Sequence, residues 1–248
     1  MGRIFIQLAY KGTNFFGWQI QPDEPTIQEE LETALTKLNR QVEVKVVGCG
    51  RTDTGVHATQ YFAHADLAFE MDLDQLKYKL NSMISKDIVI HNIEIVSPET
   101  HARFDAEKRT YHYLIHQIKD PFVNEISWQR SGKLDLTEMN KACLLLLKHK
   151  DFECFSKVKT EVNNFNCDIF NALWITSDKG YVFSITANRF LRNMVRAIVG
   201  TMIEIGEGKM TLDEFQAVLN SNNRSEAGQS VPARGLFLAK IEYPWMKD

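Results

Sequence analysis

Ile4, Ile6, Leu8 and Tyr10 recur every second residue along the opening run, the period of a half-buried strand, and Gly12 ends it. Thr26 followed by Glu29 has the spacing of a helix-initiating capping box. Ile27, Leu31, Leu35 and Leu38 supply the apolar stripe behind it, so a first helix is predicted over about 26–39. Val42, Val44 and Val46 then alternate as a strand, 48–55 is rich in glycine, and 58–67 reads as the returning strand, which makes a hairpin around Asp53. Leu73, Leu76, Leu80 and Ile84 share one face of a second helix over about 72–84, followed by a strand over 88–96.

After a polar joint at 98–103 the order repeats in outline, without identity-level repetition. Tyr111, Tyr113 and Ile115 share one face of a strand, and Met139, Ala142, Cys143 and Leu146 form a helical stripe. The segments 174–176 and 182–186 read as a hairpin about Lys179 and Gly180. A helix is predicted from Phe190 to about Ile205, Thr211 and Glu214 cap one more, and a strand over 236–243 closes the chain. Hairpins mixed with helices, and no strict alternation, predict an α+β fold on a largely antiparallel sheet. At 248 residues the chain exceeds what one core usually holds, so two halves are expected, 1–104 and 105–248.

Composition narrows the function classes. No window reaches membrane-spanning length and the N-terminus carries no signal-peptide pattern, so a cytoplasmic protein with no membrane association is expected. Cys49, Cys143, Cys154 and Cys167 are scattered without a C-x-x-C pair and read as reduced thiols. His112 and His116 have helical ligand spacing but lie in a strand pattern, which argues against a metal site. A net charge of −3 argues against non-specific coating of nucleic acid. The imbalance is local: residues 1–105 carry 10 basic and 15 acidic groups, whereas 106–248 carry 19 and 17. Arg189, Arg192 and Arg196 fall in a stretch without acids and, with Arg103, Lys108 and Arg109, suit a groove that tracks phosphates.

The densest chemical signal is Gly48-Cys49-Gly50-Arg51-Thr52-Asp53-Thr54-Gly55-Val56-His57-Ala58. Its glycines permit a tight turn that holds the Asp53 carboxylate between two hydroxyl side chains. Gly48-x-Gly50 lacks the third glycine and the βαβ context of a dinucleotide site. Asp53-Thr54-Gly55 matches the aspartic-protease tripeptide, but that chemistry needs a second such aspartate, and the chain has no second copy. A second segment, 188–200, embeds Arg196 among Val195, Ala197, Ile198 and Val199, with Arg192 one turn earlier on the predicted helix. A part-buried guanidinium there calls for an anionic partner. The third, 104–113, sets Tyr111 on a strand behind Lys108 and Arg109, where its ring suits stacking on a base.

In this order the three segments resemble the tRNA pseudouridine synthase A family. The resemblance takes in GCGRTDTGVHA, ARFDAEKRTYHY, the DFECF of 151–155, NRFLRNMVRAIVG and GLFLAKIEYP, and runs from YKGTNFFGWQ to the last strand. It implies a cofactor-free isomerase that acts on uridines 38, 39 and 40 of the tRNA anticodon arm. It also implies a homodimer and two pseudo-symmetric halves sharing a central, largely antiparallel sheet flanked by helices. Asp53 matches the family's catalytic aspartate, Tyr111 its base-stacking tyrosine and Arg196 the arginine that pairs with the aspartate. Arg51 matches an arginine that helps extrude the base, and Leu236 a small apolar contact to it. Two departures reduce positive charge: Cys167-Asp168 stands in 163–169 where many members carry Arg-Thr, and His112 stands where arginine is common.

The residues fit this chemistry on their own terms. Isomerisation requires cutting C1′–N1, rotating the freed uracil and bonding C5 to C1′, so the base must leave its stack and stay trapped. A carboxylate kept charged by an arginine can attack C1′ or take the C2′ proton, and the sequence leaves both routes open. Arg51 or Arg192 would fill the space the base vacates or bind phosphate. The rival reading is a non-catalytic RNA-binding module, which would gain nothing from a rigid carboxylate beside phosphates.

Overall fold

The computed structural model describes residues 2–69, 72–157 and 164–246. The chain divides into two units, one comprising Met1–Glu107 and Phe237–Asp248, the other Lys108–Leu236. Each is α+β on a mostly antiparallel sheet.

In the first unit β1 (Gly2–Tyr10) is followed by α1 (Ile27–Leu38), β2 (Val46–Gly48), β3 (His57–Leu67), α2 (Leu73–Met83) and β4 (Ile88–Val96). β1 lies between β3 and β4, antiparallel to both, so that Ile6 faces Ala63 on one side and Ile93 on the other. Ile4, Ile6 and Leu8 are buried as their alternation predicts, but Phe5 is buried too, against Phe62 and Tyr243, so the sheet is apolar on both faces at its centre. β2 pairs antiparallel with the far end of β3 through Val46 and Ala65. At the near end, His57 and Ala58 of β3 pair in parallel with Phe237 and Leu238 of the last strand.

The predicted strand at Val42, Val44 and Val46 contracts to β2 alone. Val42 donates to the Asn39 carbonyl, Asn39 Nδ2 donates back to Val42, and the Val44 N–H is taken by Thr36 Oγ1. Both backbone groups of Val42 and the N–H of Val44 are thus taken by the end of α1, and alternation alone does not make a strand once the ladder is pre-empted. Glu32 on α1 accepts from the Val46 N–H at 3.0 Å. α2 is fastened to β4 by reciprocal bonds between Asn81 and the backbone of Ile90 at 2.8 and 2.9 Å.

The second unit carries β5 (Lys108–His116), β6 (Trp128–Gln129), α3 (Leu136–Lys148), β7 (Ile169–Ser177), β8 (Gly180–Ala187), α4 (Met194–Gly206) and α5 (Leu212–Asn220), and the chain leaves it into β9 (Leu236–Glu242). β8 lies between β5 and β7, antiparallel to both, and the short β6 adds in parallel to β5. The predicted stripe Met139, Ala142, Cys143 and Leu146 is the buried face of α3, and Asn140 ties α3 to both backbone groups of Trp174. Thr211 and Glu214 form the full capping box of α5.

A second prediction needs correcting. α4 begins at Met194, not Phe190, because Asn193 takes a left-handed conformation at φ +66° and interrupts any helix that would run through it. Arg192 therefore lies in the turn before α4, not one helical turn from Arg196. Among the described residues no helix is long and apolar enough to cross a membrane. The four cysteines are buried, and burial pushes the Cys143 and Cys154 thiols up to about 12 and Cys167 to about 11.

Candidate active site

Asp53 stands in the loop between β2 and β3, half-buried, at the first position of a β-turn closed by the Val56 N–H on the Asp53 carbonyl at 3.1 Å. Gly55 at φ +77° supplies the positive dihedral that such a turn needs at its third position. The loop is held from outside as well. Thr52 is bonded through its hydroxyl to Tyr10 at 2.8 Å, and its carbonyl accepts from Trp18 N at 3.2 Å. The Gly55 N–H donates to the Phe15 carbonyl at 3.3 Å. Tyr61, stacked on Trp18 with ring centroids 4.2 Å apart, bonds through its hydroxyl to the Gly50 carbonyl.

The aromatic loop 15–18 is therefore a clamp. Phe15 and Trp18 turn into the core, while Phe16 remains exposed. Gly17, at φ +88°, lies so close that a Cβ there would run into the Thr52 carbonyl oxygen. The same loop completes the start of α1, where Gly17 and Trp18 carbonyls accept the Ile27 and Gln28 N–H groups at 3.3 and 3.0 Å. His57, fully buried at the end of the loop, accepts from the Gly12 N–H through Nδ1 at 3.0 Å and stacks on Phe237. Arg51 is exposed two residues before the carboxylate.

The remaining candidates lie in the second unit. Tyr111 on β5 is half-buried, with Phe190 packed edge-on to its ring at 5.1 Å and 87°. Phe190 is carried by the chain leaving β8, which is fixed by reciprocal bonds of Asn188 with Asp168 and by Arg109 on the Asn188 carbonyl at 2.8 Å. Asp168, one of the two departures in charge, is thus a structural anchor that also pairs with Lys150, and its neighbour Cys167 is buried. Asn163, where that stretch opens, lies outside the described residues. Burial lowers the pKa of His112, the other departure.

Arg196 is half-buried on the first turn of α4 and donates from Nε to the Val231 carbonyl at 2.7 Å. Leu236 is buried where the chain enters β9, and Arg192 is exposed. Tyr113, one pleat along from Tyr111, is buried and donates to the Pro232 carbonyl at 2.8 Å; burial raises its pKa above the ordinary phenol value. Thus Tyr111, Arg192, Arg196 and Leu236 share the second unit, and Asp53 and Arg51 the first. Sequence reasoning missed the supports: Tyr10 and Tyr61 behind the Asp53 loop, and the segment 224–232 behind Arg196. Their only signal was a small-residue loop followed by Pro232, which reads as an ordinary connection.

Residues 7–105 and 142–244 match the family model described as tRNA pseudouridine synthase. Tyr111 falls between the two matched segments; the other candidates fall inside them. The chain is 49% identical over 245 residues to "tRNA pseudouridine synthase A" of Parabacteroides distasonis, covering 98% of this chain and 97% of that protein. It is 46% identical over 248 residues to the protein of that name from Porphyromonas gingivalis, covering 98% of each. With the one from Bacillus subtilis it shares 35% over 244 residues, 97% of this chain and 99% of that one. On a likeness of this extent, running through both units, the chain belongs to the tRNA pseudouridine synthase family, a family of isomerases.

Proposed function

We propose that this protein converts uridine to pseudouridine at positions 38, 39 and 40 of the tRNA anticodon arm, with the Asp53 carboxylate acting at the ribose. The observation that carries the reading is the clamped loop. A carboxylate on a turn fixed by Tyr10, Phe15 and Trp18 is organised for one geometry, as a reacting group must be, whereas a turn-capping aspartate needs no such support.

The reaction breaks C1′–N1 and forms C5–C1′; N1 gains a proton and C5 loses one. No electron is transferred and no group is donated, so no cofactor is required. Asp53 either attacks C1′ or removes the C2′ proton, and each route needs it ionised. Arg196 is the arginine that this reading assigns to the carboxylate. Tyr111 stacks on the freed uracil, with Phe190 setting its ring, and Leu236 gives the apolar contact that retains it. Arg51 enters the space left by the extruded base, and Arg192 takes a phosphate. The enzyme works in the cytoplasm as a homodimer that grips one tRNA across both subunits.

Incubation of the purified protein with an unmodified tRNA transcript, followed by mapping of pseudouridine along the strand, tests the assignment. Modification confined to 38–40 is expected. Modification elsewhere only, or none, overturns it.

A further inference from the structure

Arg196 is gripped at two points by one residue. Val231 accepts from Arg196 Nε at 2.7 Å and donates its own N–H to the Arg196 carbonyl at 3.2 Å. Nε bonding fixes the plane of the guanidinium and leaves its Nη groups outside that bond, so the position of Val231 sets the direction in which Arg196 offers charge. Val231 belongs to no helix or strand, and something else must hold it.

The holder is the strap 224–232, which runs against the N-terminal half of α4. Gly200 permits the approach, since a Cβ there would run into the Gln229 carbonyl, and Thr201 Oγ1 accepts the Gly228 N–H at 2.9 Å. Arg224 closes the strap on itself. Its Nη1 donates to the Ala227 and Gly228 carbonyls, each at 3.2 Å, and its Nη2 to Ser230 Oγ at 2.8 Å. Ser230 Oγ also receives Asn193 Nδ2 at 2.6 Å, from the left-handed residue that starts α4. Arg224, Ser230 and Asn193 therefore tie both ends of the Arg196 neighbourhood, the strap and the helix start, into one bonded unit.

We infer that Arg224, through Ser230 and Asn193, is a positioning residue that sets the Arg196 guanidinium for its catalytic partner. The inference rests on the reading above, in which Arg196 takes part in the reaction. A loosened strap leaves Arg196 present but misdirected, so turnover falls more than tRNA affinity.

The test uses the full-length enzyme and the variants Ser230→Ala, Arg224→Met, Arg224→Lys and Arg196→Lys. Each is measured for kcat, KM for tRNA and the thermal midpoint. Ser230→Ala is expected to lower kcat on the order of 10-fold with KM within about 3-fold. Arg224→Met should do the same more strongly, with Arg224→Lys between them. If Arg196→Lys lowers kcat while folded Ser230→Ala and Arg224→Lys leave it unchanged, the positioning role is wrong and the Arg196 reading stands. If Arg196→Lys itself leaves kcat unchanged, the Arg196 reading fails, and this inference with it. A lower thermal midpoint in Arg224→Met with a normal kcat in Ser230→Ala assigns the network to stability alone and also overturns the proposal.

Discussion

At the scale of single residues, the turn that carries Asp53 depends on supports that arrive from distant parts of the chain. Asp53 stood out because three glycines and two threonines crowd one carboxylate, a local property. That Tyr10 bonds Thr52 from 42 positions away, or that Trp18 both stacks on Tyr61 and donates to Thr52, depends on chain return that periodicity does not encode. Gly17 gives a direct check. Gly17→Ala sets a Cβ against Thr52 at a positive φ, and we expect a loss of about 1–3 kcal/mol with kcat falling more than the loss of folded protein explains. Normal kcat in a stable Gly17→Ala protein would detach the clamp from catalysis.

His64 carries a pH prediction of its own. It is buried and accepts the Ala102 N–H at Nδ1, and burial, helped by Arg3 and His101 against Asp66 and Asp105, pushes its imidazole down to about 4. Between pH 6.5 and 4 the unfolded chain binds more protons at this site than the folded one. Stability from this site is therefore complete above 6.5 and falls on acidification through that window, by as much as ~3 kcal/mol. Denaturant midpoints at pH 7.5 and 4.5 should differ less in His64→Gln than in the wild type. An equal difference would show that His64 does not contribute.

At the scale of elements, apolar stripes and caps located α1 and α2 to within a residue at each end, the stripe 139–146 falls inside α3, and Thr211 with Glu214 marks the start of α5, because each helix has one buried face and a capping side chain. The two misreadings both come from local conformation that periodicity does not carry. The 42–46 strand and the early start of α4 were both extended by pattern into backbone already committed elsewhere, to Thr36 and Asn39 in one case and to the left-handed conformation of Asn193 in the other. Asn193 tolerates the left-handed region where a β-branched residue does not. Asn193→Val should cost on the order of 1–3 kcal/mol, and Asn193→Gly less than that. Equal thermal midpoints for the two variants would contradict this account of the helix start.

At the scale of the whole molecule, family membership was readable because the motifs lie along the entire chain. Pairings at long range were not: Ile241 donates to Gln60 across 181 positions, and Phe237 pairs with His57, with nothing local to announce either. Net charge misleads at this scale, since −3 overall coexists with basic groups concentrated after residue 105. Arg192→Ala should raise the KM for tRNA several-fold, leave kcat nearly unchanged and reduce the salt slope of binding by about one. An unaltered salt slope would remove Arg192 from the phosphate path.

The central claim is that one carboxylate does the chemistry, and Asp53→Asn changes its charge with almost no change in shape. Release of tritium from C5-labelled tRNA should fall to background in this variant, while tRNA affinity stays within a few-fold of the wild type. Sustained tritium release by Asp53→Asn would contradict the account.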